Sequence, residues 1–162
     1  MKTLLRTLLY LALIVWLGAE IFLPIVAQVT FSSLSDTHAA GTVVGHLLRI
    51  LHGMGLVSGM VALALLALAP AWNIYKPRTV LPPMALIVGM IALTAYSQWV
   101  IIPAMERDRI SAGGAIDTAD TSNPLTTHFN RLHNRSVDVE VAVQLVGLAT
   151  VALVAKAETS RA

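Results

Sequence analysis

Glu20, Arg49, His52, Gln98, His133, Ser136 and Glu140 are the side chains here that could do chemistry, because each lies within or at the edge of a long apolar stretch. Placing one ionisable group at the centre of a bilayer costs at least about 2.5–3.5 kcal/mol on insertion scales, so several in one small protein suggest a shared interior site. Carboxyls, imidazoles, a guanidinium and an amide can bind a small molecule or ion or pass protons. They can equally hold helices in register by hydrogen bonding, and both readings stay open for Glu20, Arg49 and Glu140. His133, Ser136 and Glu140 follow spacings of three and four and so share one helix face, with Gln144 one turn further on. Gly45, Arg49, His52, Leu56 and Gly59 make a comparable face, whose glycines admit a neighbouring backbone. The simplest expected pairing is Arg49 with Glu20 or Glu140, since a buried cation and carboxylate lower each other's cost.

The elements that must position these groups follow from composition. Hydrophobic residues make up 56% of the chain and charged residues 12%, with a mean hydropathy of +0.74, which is a membrane profile. Four apolar spans of about 20 residues each, with their connections, account for nearly all 162 residues. The expected spans are residues 4–28, 43–69, 81–102 and 136–156. Apolar character continues past Leu17-Gly18-Ala19, which favours a retained first helix over a cleaved signal peptide, and Pro24 should kink that helix. Gly41 reads as a turn before the second span. Pro82-Pro83 reads as the entry to the third span and Pro103 as its exit. The loop 71–80, with Trp72, Tyr75, Lys76 and Arg78, suits a headgroup boundary. Residues 104–122 form a polar outer stretch that begins as a short interfacial helix. Asn123-Pro124 then reads as a helix start, with Asn123 as cap. The expected fold is all-α: an antiparallel four-transmembrane-helix bundle with a polar outer loop and an extended last helix, forming a single domain over 1–162.

Lys2, Arg6, Lys76, Arg78, Lys156 and Arg161 fall on one side of such a bundle, which places both termini in the cytoplasm and suggests a bacterial inner membrane. Counting about 1.5 Å per residue from the cytoplasmic edge puts Glu20 roughly 18 Å deep and Glu140 roughly 21 Å. His52, Gln98 and Asp138 come out roughly 24–25 Å deep and Arg49 roughly 28 Å. The polar groups therefore gather in the outer half. The absence of cysteine removes disulfides and thiolate metal sites. The dispersed basic residues, for a net charge of +2, offer no nucleic-acid surface.

Trp16-Leu17-Gly18-Ala19-Glu20-Ile21-Phe22 with Pro24, Phe31 and Ala40-Gly41, then Ile102-Pro103-Ala104-Met105 and Phe129-Asn130-Arg131-Leu132-His133-Asn134-Arg135-Ser136, resemble the transmembrane protein 205-like family. That resemblance implies a four-helix integral membrane protein. It brings no catalytic residue or cofactor.

Three functional classes follow. The first is a membrane protein that binds a small molecule, ion or proton, with a link to transport, at an intramembrane polar site in its outer half. The second is a structural or partner-binding membrane subunit. The third is a metal- or haem-binding protein or membrane enzyme, for which His52 and His133 are the weak ligand candidates. No His-x-x-x-His pair, phosphate loop or nucleophile elbow is present, so no catalytic residue and no cofactor is assigned. The bilayer is the expected partner, alongside a small ligand or ion or a second membrane protein. If Glu20 and Glu140 share one level with a single cation to serve both, one of them is protonated at neutral pH.

Overall fold

In α1 (Lys2–Ser33), Leu5, Leu9, Leu13, Trp16 and Glu20 repeat at three or four residues and are buried. Leu4, Leu8, Leu11 and Ile14 face outward on the opposite side. The same two-faced pattern runs through α2 (Thr37–Leu68), α3 (Pro77–Tyr96) and α5 (Pro124–Thr159) in this computed structural model, which describes residues 2–113, 116 and 123–159. A π-helical turn, Ser97–Ile101, joins α3 to α4 (Ile102–Ser111), and the described residues contain no strand. Four helices, Lys2–Ser33, Thr37–Leu68, Pro77–Ser111 and Pro124–Thr159, are long and apolar enough to cross a membrane. At about 1.5 Å per residue each exceeds the roughly 30 Å of hydrocarbon, so their ends project beyond it.

The helices close in a ring: α1 packs on α2, α2 on α3, α3 on α5 and α5 on α1, with α4 leaning on α5. Successive membrane-length helices run in opposite directions. At one end Lys2 Nζ donates to the Asn73 carbonyl at 3.2 Å, and Arg6 and the Tyr75 hydroxyl both reach Glu158. At the other end Arg109 meets His38 at 3.4 Å and Asp108 meets His128 at 2.6 Å.

Several boundaries differ from the sequence expectation. The second helix starts at Thr37 because Asp36 caps it, accepting from the His38 and Ala39 amides at 2.9 and 3.3 Å, so Gly41 is helical rather than a turn. The third begins at Pro77, which fills the first helical position where a missing N–H costs nothing, and Pro82 and Pro83 lie inside it. Tyr75, in the connection before the third helix, is buried with its hydroxyl on Glu158. Pro103 does not end the helix. The preceding turn widens so that the Ile102 amide bonds the Ser97 carbonyl five residues back, and the chain continues helically to Ser111. Asn123 does cap the last helix, its Oδ1 accepting from the Leu125 amide at 2.9 Å. Residues 114–115 and 117–122 of the expected polar stretch, and Arg161 of the charge count, lie outside the described residues.

The packed centre is organised by Trp16, whose ring lies flat on α2. A Cβ built at Gly55 would come within 2.5 Å of Trp16 Nε1, and one at Gly59 within 2.5 Å of Trp16 Cζ3. Neither position has room for a methyl group. Gly55→Ala and Gly59→Ala should each destabilise the protein by about 1–3 kcal/mol through overpacking, read as a lower unfolding temperature in detergent. Gly53→Ala, where nothing lies within 4 Å of the added carbon, should leave it unchanged. Equal effects at all three glycines would contradict this packing.

Candidate functional site

His52 is fully buried on α2, and both its ring nitrogens meet oxygen. Nδ1 lies 2.9 Å from Gln98 Oε1 and Nε2 lies 2.8 Å from Glu140 Oε1. The same Glu140 oxygen accepts from Ser97 Oγ at 3.2 Å. Ser97 and Gln98 are adjacent, and adjacent residues in an α-helix point about 100° apart. They sit in the first turn of the π-helical segment, and the two of them serve one cluster. With Gln98 Oε1 accepting from Nδ1–H, the Nε2–Glu140 contact needs one proton, carried either by an imidazolium or by the carboxyl.

Glu20, only 3% exposed, brings a second carboxyl from α1 against Glu140, with the Trp16 indole beside it. Here the hydrogen bonding is incomplete. Glu20 Oε1, Glu140 Oε2 and Trp16 Nε1 are all buried and have no hydrogen-bond partner. A buried polar atom left unpaired costs about 1–3 kcal/mol, and more when charged.

Both carboxyls line a cavity of about 630 Å³. Below them α1 and α5 are tightly joined, since Leu17 fills the space beside Gly147 where a Cβ would have to sit. Above them the two helices form the walls of the cavity with α2 and α4, through Leu23, Phe31, Phe129 and Met105 among others. Its far end is polar. Arg109 there grips Glu106 with two bonds of 2.7 and 3.0 Å and reaches the Thr42 hydroxyl at 3.3 Å.

The seven residues singled out by sequence thus occupy two layers. Glu20, Arg49, His133, Ser136 and Glu140 line the cavity, while His52 and Gln98 lie behind Glu140 and hold it. The expected pairing of Arg49 with Glu20 or Glu140 does not occur. His52 takes Glu140, and Arg49, one turn nearer the mouth, is exposed and acts on Glu106. Of the two weak metal-ligand candidates, His52 has both ring nitrogens engaged, by Gln98 and Glu140, and His133 lines the cavity. Among the described residues no three His, Cys, Asp or Glu side chains are grouped to hold a metal ion. Sequence reasoning passed over Ser97, Trp16 and the Glu106–Arg109 pair. Trp16 had a detectable signal, lying one turn before Glu20 on the buried stripe, but Ser97 depends on the π-helical turn.

The family model described as Domain of unknown function (DUF4149) matches residues 11–109. The chain belongs to this family. The match spans α1 to α4 and so includes Trp16, Glu20, Arg49, His52, Ser97 and Gln98, while Glu140 on α5 lies beyond it. No curated protein and no solved structure matches the chain.

The contact between His52 and Glu140 should be measurable as energy. A double-mutant cycle on His52→Leu and Glu140→Leu, followed by unfolding in detergent, should return a coupling of roughly 1–3 kcal/mol, because each single change strands a buried partner and the double change does not. Simply additive losses would show that the contact carries no stability.

Proposed function

We propose that this DUF4149 member is an integral membrane protein that binds a small molecule or ion in a cavity within its outer half, over a floor that handles protons. The observation that carries the reading is Glu20, a buried carboxyl that lines a cavity of about 630 Å³ and keeps an oxygen unpaired. That volume lies within the roughly 300–1,000 Å³ typical of small-ligand sites, and apolar walls with a few converging polar groups are the usual composition of such sites. A purely structural role for the polar residues would favour mutual pairing and a filled interior, and the unpaired oxygens speak against it. The resemblance of both ends of the chain to the transmembrane protein 205-like family is part of this proposal and supports the same membrane reading.

The orientation proposed places both termini in the cytoplasm of a bacterial inner membrane, with the cavity toward the opposite side. Lys2, Arg6, Lys76, Arg78 and Lys156 support it, since they gather at the end that carries the termini.

Because the chain has no cysteine, single cysteines can be introduced without background. Ala27→Cys and Ser136→Cys, which line the cavity, should react with a membrane-impermeant cationic thiol reagent applied from outside the cell. Ile50→Cys, exposed on the outer face of α2, should be protected by lipid. If Ala27→Cys and Ser136→Cys prove as inert as Ile50→Cys from both sides of the membrane, the water-accessible cavity is refuted. Labelling only from the cytoplasmic side would reverse the orientation.

A further inference from the structure

We infer that the cavity floor is a cation site in which the ammonium group of an amphiphilic organic amine and a proton compete for Glu20. The inference rests on the ligand-binding reading above and adds to it the chemical class of the ligand and its exchange for a proton.

The argument begins with charge. With Nδ1–H donated to Gln98 Oε1, the His52–Glu140 contact holds one further proton between the imidazole and the carboxyl, so the pair is neutral as a unit whichever partner carries it. Glu20 is then left over. It lies against Glu140, which cannot compensate a negative charge, and beside the Trp16 indole, which carries no charge. An uncompensated carboxylate buried to 3% exposure is too costly to persist, so Glu20 has to hold either a proton or a cation.

The other charged groups facing the cavity do not supply that cation. On α4, Arg109 is bound to Glu106 through two hydrogen bonds. On α2, Arg49 stands one turn nearer the mouth than His52, within the field of Glu106, and forms no ion pair among the described residues, while His46 and His38 lie about one and three turns further out. On α5, His133 is two turns outward from Glu140. The groups of the third helix that reach the cluster, Ser97 and Gln98, are neutral.

The shape of the site selects among cations. Two carboxyl oxygens are free at the floor, Glu20 Oε1 and Glu140 Oε2, and the Ser136 hydroxyl lines the same cavity. An ammonium group has three donors and no acceptor, which suits this set of acceptors. Calcium takes six to eight oxygen ligands, more than the two carboxyl oxygens and one hydroxyl that the floor supplies. Above the floor Leu23, Phe31, Met105 and Phe129 present an apolar and aromatic lining that accommodates a hydrocarbon or aryl body, and an aromatic ring favours a neighbouring cation. When the amine binds as its ammonium form, protonated Glu20 gives its proton to water in the cavity and becomes the counter-ion. One cation enters and one proton leaves.

The test is calorimetric titration of the full-length protein in detergent with phenethylammonium chloride and, separately, with uncharged 2-phenylethanol, in two buffers of different ionisation enthalpy. Phenethylammonium should bind with release of about one proton and tighten by up to about tenfold for each unit rise in pH while Glu20 is protonated. Glu20→Gln should lose this binding and its pH dependence, whereas Glu20→Asp, which keeps the charge, should retain both. Binding of 2-phenylethanol should not depend on pH or on either substitution. Phenethylammonium binding that is unchanged in Glu20→Gln, or that releases no proton, overturns the cation site. If 2-phenylethanol binds and the ammonium does not, the cation site is refuted while the cavity reading stands. If neither binds, the cation site is also refuted, and cysteine labelling then decides separately whether the cavity reading survives.

Discussion

One oxygen of Glu140 receives both His52 from α2 and Ser97 from the third helix, and the half of the bundle away from the termini is arranged around that shared acceptor. Hydrocarbon offers no alternative donors, so a carboxyl placed there must be met by groups from neighbouring helices. Meeting it fixes the rotation of three helices at once. Gln98 extends the arrangement by engaging the far side of the imidazole, which leaves His52 no freedom to turn toward the cavity.

The contrast between the two halves of the bundle follows from this centre. Toward the end that carries the termini, Leu17 beside Gly147 and Trp16 over Gly55 and Gly59 bring the helices close, and small residues are what permit that approach. Beyond Glu20 and Glu140 the walls are lined by larger side chains and the interior is not filled. A close-packed base supporting an open half away from the termini is a suitable scaffold for a site, because the carboxyls at the boundary rest on elements that cannot shift easily.

The turn at Ser97–Ile101 connects backbone chemistry to that site. Pro103 lacks an amide hydrogen, and the chain absorbs the interruption in a widened turn just before it. That turn carries Ser97 and Gln98, the two groups that hold the centre from the third helix. A proline legible in the sequence as a helix end is therefore part of how two consecutive residues serve one cluster.

Much of the architecture was written in local pattern. Apolar run lengths specify four spans, the Asn123-Pro124 pair marks the last helix start, and spacings of three and four put His133, Ser136 and Glu140 on one face. Those features depend on residues within a few turns of each other, which is the range over which sequence periodicity is informative. The start of α2 was missed because a single Asp36 cap outweighs the turn tendency of Gly41. What only the tertiary structure decided is who meets whom. Arg49 was the obvious counter-ion for a buried carboxyl, yet the rotation of α2 delivers His52 to Glu140 and leaves Arg49 nearer the mouth. Pairing across helices is set by how four rods rotate and close against one another, a long-range outcome of packing that no single span encodes.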